Sequence, residues 1–151
     1  MPDTNGRNDT LVYISTALTQ APDRHRNAIQ AVKSTINNMP GYAVCEWYAD
    51  VHDMQPEDDP NAVAVLHEDM NAIRESDVLV CIYAGFGSDG RGIELRSALN
   101  MQKRVLAFQI RDSAISSLAC GLLRLHGIAP KQVDDIADIP DRLSETLGNV
   151  H

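Results

Sequence analysis

The stretch Val78-Leu79-Val80-Cys81-Ile82-Tyr83, followed after three residues by Gly87-Ser88-Asp89-Gly90-Arg91-Gly92-Ile93-Glu94-Leu95, joins an apolar run to a glycine-rich segment. A short unbroken apolar run bounded by turn signals is typical of a strand buried on both faces. The glycines after it predict a turn, and residues 91–101 have the pattern of a helix. This part of the chain therefore predicts a strand, a turn and a helix in succession, as in a βαβ unit.

Strands and helices alternate along the rest of the chain as well. Strands are predicted at 11–15, 42–47, 77–83 and 105–109, and helices at 23–38, 61–76, 91–101, 113–123 and 140–147. In the first helix, Ile29, Val32 and Ile36 recur at the spacing of one helical face. Such alternation predicts a single-domain α/β fold, doubly wound and Rossmann-like or flavodoxin-like, with a mostly parallel sheet of about five strands flanked by helices.

Composition excludes several classes of function. The chain has 151 residues, a formal net charge of −8 and no basic stripe, which argues against nucleic acid or an anionic membrane as the main partner. The first ten residues are polar, and no apolar run approaches the length of a membrane span. Three widely spaced cysteines lie in or beside apolar runs, so we expect buried, reduced thiols in a cytoplasmic protein.

Two loops are the expected ligand-binding region, because ligands of such sheets bind beyond the carboxyl ends of the strands. They follow Ser15 and Tyr83. The loop after Tyr83 enters a helix, so its free backbone N–H groups and the helix dipole favour an anion such as phosphate. Ser88 adds a hydroxyl donor, while Gly90 and Gly92 allow close approach of a ligand. The alternative is a plain turn with glycines at strained positions.

Two carboxylates are candidates for chemistry, one at the second of these loops and one on an inward helix face. Glu94 is expected in the first turn of its helix, where the dipole favours the ionised form and keeps it available as a nucleophile. Asp69 is expected on the inward stripe of its helix, which also contains Leu66, Met70 and Ile73. An inward carboxylate must be paired, hydrogen-bonded or functional. Together the two suggest glycosidic chemistry, although Asp69 as a loop cap and Glu94 as an ordinary first-turn glutamate remain alternatives.

Three segments resemble the nucleoside 2-deoxyribosyltransferase superfamily, and more closely its 2'-deoxynucleoside 5'-phosphate N-hydrolase branch. The resemblance runs from about residue 11 to residue 121. The segments are Val12-Tyr13-Ile14-Ser15-Thr16-Ala17-Leu18-Thr19, Asp69-Met70-Asn71-Ala72-Ile73-Arg74-Glu75-Ser76-Asp77 and Ser88-Asp89-Gly90-Arg91-Gly92-Ile93-Glu94-Leu95. The last segment fits the SxGxGxE pattern of the hydrolase branch. On this resemblance, residues 11–151 are expected to form the catalytic domain, after a flexible segment at 1–10.

The resemblance also implies roles for individual residues. Glu94 matches the glutamate that attacks C1', and Asp69 matches the aspartate that assists proton transfer and holds the sugar. Ser88 and the N–H groups near Gly90 match the site of the 5'-phosphate. The first strand and its loop match the segment that lies over the base and sugar; the residues expected there are Tyr13, Ser15, Thr16, Ala17, Leu18 and Thr19. Asp89, Gly90 and Gly92 complete the loop after Tyr83.

A homodimer with shared active sites is implied too. Ser116 stands at a helix start from which the family contributes a residue to the neighbouring subunit's site, and Ser113 and Ser117 are alternative matches. The implied reaction uses no metal or redox cofactor, and His52 and His67 lack partners at metal-binding spacing.

The sequence departs from the hydrolase pattern at two positions. Asp89 places a negative charge in the expected phosphate loop, which Arg91 or another basic residue must offset. Thr19 stands where the hydrolase branch often has an arginine, although Arg24 and Arg26 follow closely. Base exchange by a deoxyribosyltransferase, with Asp89 as the loop carboxylate, therefore stays an alternative to hydrolysis. A non-catalytic nucleotide-binding module is another.

Overall fold

The strands and helices alternate in the order that the sequence predicts. A computed structural model describes residues 9–16, 21–45, 62–85 and 89–148. The strands are β1 (Thr10–Ser15), β2 (Tyr42–Val44), β3 (Val78–Tyr83), β4 (Arg104–Ile110) and β5 (Lys131–Val133). The helices are α1 (Asp23–Asn38), α2 (Ala62–Glu75), α3 (Asp89–Asn100), α4 (Ser117–Leu125) and α5 (Ile139–Gly148), and a 3-10 turn at Ile136–Asp138 precedes α5.

All five strands pair in parallel in the order β2-β1-β3-β4-β5. This is the strand order of a flavodoxin-like, doubly wound fold, so the predicted fold class is confirmed. The order reverses between β1 and β3, which pair from Val12 opposite Val78 to Ser15 opposite Cys81. The carboxyl ends of these two neighbouring strands therefore frame the crevice where such a sheet binds its ligand.

The sheet separates two apolar cores, because side chains alternate between its faces along each strand. On one face, Val12 and Ile14 of β1 belong to a core with α1 and α5. On the other, Tyr13 belongs to a core with residues of α2, α3 and α4. Ile29, Val32 and Ile36 are fully buried, as the stripe in α1 predicted.

Several predicted boundaries need correction. Helix α3 begins at Asp89 rather than at residue 91. Two glycines in its first turn weaken the helical pattern, since each costs about 1 kcal/mol relative to alanine, but Leu95, Ala98 and Leu99 are buried behind them and hold the helix on the sheet. Helix α4 begins at Ser117 rather than at 113. The sequence did not locate β5, in which two of the three residues are exposed.

Leu66 does not belong to an inward stripe as expected. Its side chain is 46% exposed, whereas Ile73 is fully buried, because the described residues cover α2 mainly at its last turns. Cys45 and Cys81 are buried and outside any disulfide bond, as expected, while Cys120, which also forms no disulfide, is only half-buried. Within the described residues, no helix has the length and apolarity needed to cross a membrane.

Candidate active site

Glu94 lies buried against the carboxyl end of β1 and is the centre of the candidate site. Tyr13 and Ser15 are two residues apart in β1, so their side chains point to the same face of the sheet, the face that α3 covers. The Tyr13 hydroxyl donates a hydrogen bond to Oε2 of Glu94. The Ser15 hydroxyl donates to Oε1 at 2.7 Å. Each carboxylate oxygen thus accepts one hydrogen bond, which fixes the carboxylate plane and leaves further lone pairs on both oxygens.

Burial raises the pKa of Glu94 to about 7. The hydrogen bonds from Tyr13 and Ser15 oppose this shift, because they favour the charged form. The negative charge of Asp69 raises the pKa further, and the positive charge of Arg91 lowers it. Glu94 therefore changes its protonation near neutral pH, unlike a solvated glutamate.

This arrangement corrects the expected origin of the reactivity of Glu94. Because α3 begins at Asp89, Glu94 is in the second helical turn rather than the first. The dipole effect is confined to the first turn, so desolvation outweighs it and the acidic form is favoured. Ionisation depends instead on the two hydroxyl donors of β1.

Tyr13 stays protonated in this environment. It is completely buried, and burial together with the charges of Glu94 and Asp69 raises its pKa far above the usual value. Its hydroxyl therefore acts as a permanent donor to Glu94. Tyr13 and Ser15 were expected in the substrate-binding segment, and in the structure both hydroxyls donate to the Glu94 carboxylate.

Asp69 lies near the same pair. Asp69 is half-buried in α2, and its charge raises the pKa of both Tyr13 and Glu94. Ile73, four residues later, is fully buried, so Asp69 projects from the helix face that packs inward. The two predicted carboxylates are thus close enough for the charge of Asp69 to raise the pKa of Glu94.

Arg91 places a positive charge at the end of β3. Its Nη1 donates to the Ile82 carbonyl oxygen at 3.0 Å, and its Cζ lies 4.3 Å from the centroid of the Tyr83 ring. Arg91 precedes Glu94 by three residues in α3, so the two share a helix face. Partial burial lowers the pKa of Arg91, and the charge of Glu94 opposes that shift.

His25 supports the end of β1 from the opposite side. Its Nε2 shares a 2.9 Å hydrogen bond with Oγ1 of Thr16, and both residues are buried. Burial, together with the charges of Arg26 and Arg91, lowers the pKa of His25 to about 4. His25 is therefore neutral at physiological pH, and it holds Thr16 where the chain leaves β1.

The other predicted site residues fall in different places. Ala17, Leu18, Thr19 and Ser88 lie outside the described residues. Asp89 and Gly90 open α3 rather than forming a loop before it, and Gly92 lies inside that helix.

A Cβ at Gly92 would meet nothing within 4 Å, so this position leaves open space at the surface. Ser116 is exposed and caps α4, accepting a hydrogen bond from the Ala119 N–H at 3.2 Å. Arg24, considered as a ligand group, instead forms an ion pair with Asp135.

His25 was not among the predicted site residues, and Arg91 was considered only as a charge that could offset Asp89, although both positions carry a signal in the sequence. His25 stands four residues before Ile29, on the apolar stripe of α1, where a polar side chain requires a partner. Arg91 stands one helical turn before Glu94. Its contacts with Ile82 and Tyr83 depend on the meeting of α3 with β3, which spacing alone does not reveal.

Comparisons with known proteins agree with this fold. No family profile and no curated protein sequence matches the chain. Among solved structures, the chain is similar to the CMP N-glycosidase BcmB of Clostridium botulinum, with a TM-score of 0.66 over 89% of this chain and 99% of that one. It is also similar to a 2-deoxyribosyltransferase from Leishmania mexicana, with a TM-score of 0.62 over 94% and 99% of the two chains.

A third similar structure is a 2-deoxyribosyltransferase from Bacillus psychrosaccharolyticus, with a TM-score of 0.60 over 87% of this chain and 91% of that one. Sequence identity is 15% in all three cases. At this identity the likeness shows a shared fold over nearly the whole chain.

The raised pKa of Glu94 predicts how stability depends on pH. Between its ordinary value of 4.5 and the folded value of about 7, the folded protein keeps a proton that the unfolded chain has lost. The free energy of unfolding therefore decreases as pH rises through this range. Relative to Glu94→Gln, the wild type should lose roughly 2 to 3 kcal/mol between pH 5 and pH 8.

Urea unfolding of both proteins at several pH values measures this difference, and Glu145→Gln, an exposed glutamate of α5, serves as the matched control. A difference between wild type and Glu94→Gln that is independent of pH would contradict the burial argument.

Proposed function

We propose that this protein is an N-glycosidase of nucleoside or deoxynucleoside 5'-monophosphates, which releases the free base and ribose or deoxyribose 5-phosphate. The observation that carries the proposal is the buried Glu94 carboxylate, held through both oxygens by Tyr13 and Ser15 at the ligand-binding end of the sheet. Burying a carboxylate is unfavourable for stability, so an orientation this well defined favours a chemical role. Asp69 supplies the second carboxylate that glycosidic chemistry uses.

The first step forms a bond between Glu94 and the sugar. A lone pair on one carboxylate oxygen attacks C1' while the bond from C1' to the base nitrogen breaks, and the electron pair of that bond leaves with the base. Asp69 donates a proton to the departing base. The step inverts C1' and gives a glycosyl ester of Glu94. Tyr13 and Ser15 are positioning residues, since they hold the nucleophile and contact no reacting carbon.

The second step returns the enzyme to its starting state. Asp69, now ionised, takes a proton from water, whose oxygen attacks C1' as the ester bond breaks. The sugar gains an anomeric hydroxyl, Glu94 is again a carboxylate, and the second inversion restores the configuration at C1'. Because carboxylates and water account for every proton and electron pair, we propose a reaction without a metal or redox cofactor.

The substrate is assigned to the two loops at this end of the sheet. The segment from Thr16 to Thr19 is proposed to cover the base and sugar, with Thr16 held by His25. The 5'-phosphate is assigned to Ser88 and to backbone N–H groups at Asp89 and Gly90, where the start of α3 favours an anion, while Gly92 allows the ligand to approach closely. The sugar would then lie over Glu94.

A homodimer is proposed as the active form, with Ser116 of each subunit serving the other's site. Apolar residues are exposed on all three helices that cover the Glu94 face of the sheet. They include Leu118 (84% exposed) and Leu125 (79% exposed) in α4 and Ile93 in α3. Exposed apolar groups mark an association surface where they join into one patch, and the proposed dimer brings them together. A cytoplasmic location is proposed as well, because Cys45, Cys81 and Cys120 form no disulfide bond.

Removal of the Glu94 carboxylate tests the proposed function. Glu94→Gln keeps the shape of the side chain but cannot attack C1', so kcat/KM for a nucleoside 5'-monophosphate should fall on the order of 10³-fold or more. In the wild type, kcat/KM should rise as the pH passes through about 7, because the attacking form of Glu94 is the ionised one. Chromatographic detection of free base measures both effects.

Glu145→Gln is the control and should keep wild-type activity. Product identity separates the alternatives: sugar phosphate as the main product in the presence of an acceptor base supports hydrolysis, whereas a new nucleoside supports base exchange. Full activity of Glu94→Gln, or binding of nucleotides without turnover by the wild type, would overturn the proposal.

The proposed dimer predicts a mass in solution of twice the 16.6 kDa of one chain. Leu118→Asp should shift the protein toward the monomer, because it places a charge in the apolar surface of α4. Ala31→Asp, at an exposed position of α1 on the other side of the sheet, is the control and should leave the mass unchanged. Light scattering after size-exclusion chromatography measures the masses, and a monomeric wild type would contradict the dimer.

A further inference from the structure

Arg91 is fixed in place by two contacts with β3. Its Nη1 donates to the Ile82 carbonyl oxygen at 3.0 Å, and its Cζ lies 4.3 Å from the centroid of the Tyr83 ring. Ile82 and Tyr83 are themselves buried at the end of β3, the central strand of the sheet, so neither of these contacts can move far. A long side chain that is normally flexible is therefore held in one orientation, in advance of any ligand.

The positive charge of Arg91 is not neutralised by an ion pair in the part of the chain that the structure describes. The described ion pairs are Arg24 with Asp135 and Arg111 with Asp134. Glu94 is on the same helix face and its charge acts on Arg91, but the two are not among the described ion pairs, and the Glu94 oxygens accept hydrogen bonds from Tyr13 and Ser15. A partly buried cation loses hydration, which is unfavourable unless an anion replaces the water.

The chemistry of the guanidinium group indicates which anion fits. Of its five N–H donors, one is engaged by the Ile82 carbonyl, and the planar fork that remains suits the paired oxygens of a phosphate group. Arg91 is half-buried rather than enclosed, so a ligand can reach it. It also stands at the crevice between β1 and β3, one helical turn from Glu94.

We propose that Arg91 binds the phosphate of the substrate and makes the site select nucleoside 5'-monophosphates over nucleosides. This inference rests on the proposed function, to which it adds the residue that sets substrate class. Asp89 adds a negative charge at the start of α3, where the phosphate is proposed to bind. Arg91 lies in the same turn of α3, and its positive charge offsets that of Asp89 in a chain whose net charge is −8.

The test compares each 5'-monophosphate with its own nucleoside, for example CMP with cytidine and dCMP with deoxycytidine. The ratio of kcat/KM for nucleotide to that for nucleoside should fall roughly 10- to 100-fold in Arg91→Ala, mainly through a higher KM for the nucleotide. Arg91→Lys keeps the charge and should restore part of the ratio. Arg96→Ala, an exposed arginine of the same helix, is the matched control and should keep the wild-type ratio.

A ratio that is unchanged in Arg91→Ala, because both substrates lose activity equally, would overturn the inference and assign Arg91 a structural role. A binding measurement tests Arg91 independently of catalysis. Calorimetry with ribose 5-phosphate and with inorganic phosphate reports phosphate binding whether or not the proposed reaction takes place. If no substrate is cleaved, weaker phosphate binding by Arg91→Ala than by Arg96→Ala still supports Arg91 as the phosphate ligand. Equal binding by the two variants would refute it.

Discussion

The burial of one carboxylate is the constraint on which the rest of the site depends. Glu94 is removed from water, and its pKa is raised to about 7 as a result. Two hydroxyl groups, from Tyr13 and Ser15, recover part of the lost hydration. The carboxylate is thus oriented but only weakly stabilised as an ion, which is a suitable state for a nucleophile at neutral pH. A fully hydrated Glu94 carboxylate would have the ordinary pKa of a glutamate and no fixed orientation.

The environment of Glu94 results from the alternation of side chains along β1 and from the path of α3 across the sheet. Alternation along β1 sends Tyr13 and Ser15 to one face of the sheet and Ile14 to the other. Helix α3 returns across that face after β3, so that Glu94 meets the two hydroxyls and Arg91 meets the end of β3. Because the strand order reverses between β1 and β3, these groups lie at the switch point, where sheets of this kind bind their ligands.

Much of the fold could be predicted from the sequence, since its signals are local. The stripe of Ile29, Val32 and Ile36 located α1, and the apolar run ending at Tyr83 located β3. The sequence did not predict β5, because only Val133 of its three residues is buried and no apolar pattern results. The strand forms through its pairing with β4, from Phe108 opposite Lys131 to Ile110 opposite Val133. The start of α3 was placed too late because the glycines masked a helix that tertiary packing stabilises.

The candidate site was predictable in its carboxylates but not in their environment. Glu94 and Asp69 stood out by motif and by position on a helix. The pKa of Glu94, in contrast, is raised by burial in the folded chain and lowered in part by hydroxyl groups 79 and 81 residues away in sequence. The roles of Tyr13, Ser15, His25 and Arg91 are likewise properties of contacts between elements. A sequence pattern shows which ionisable side chains are present. Their pKa values depend on burial and contacts that arise only where β1, β3 and α3 pack together.

Detection of a covalent bond between Glu94 and the sugar tests the central claim most directly. The wild-type protein would be mixed with a cleavable nucleoside 5'-monophosphate, quenched in acid within milliseconds and analysed by mass spectrometry, first intact and then as peptides. The account predicts a protein heavier by one sugar phosphate, with the added mass on the peptide that contains Glu94 and absent from Glu94→Gln. Turnover with an added mass on another residue, or with inversion at C1' and no added mass, would contradict it.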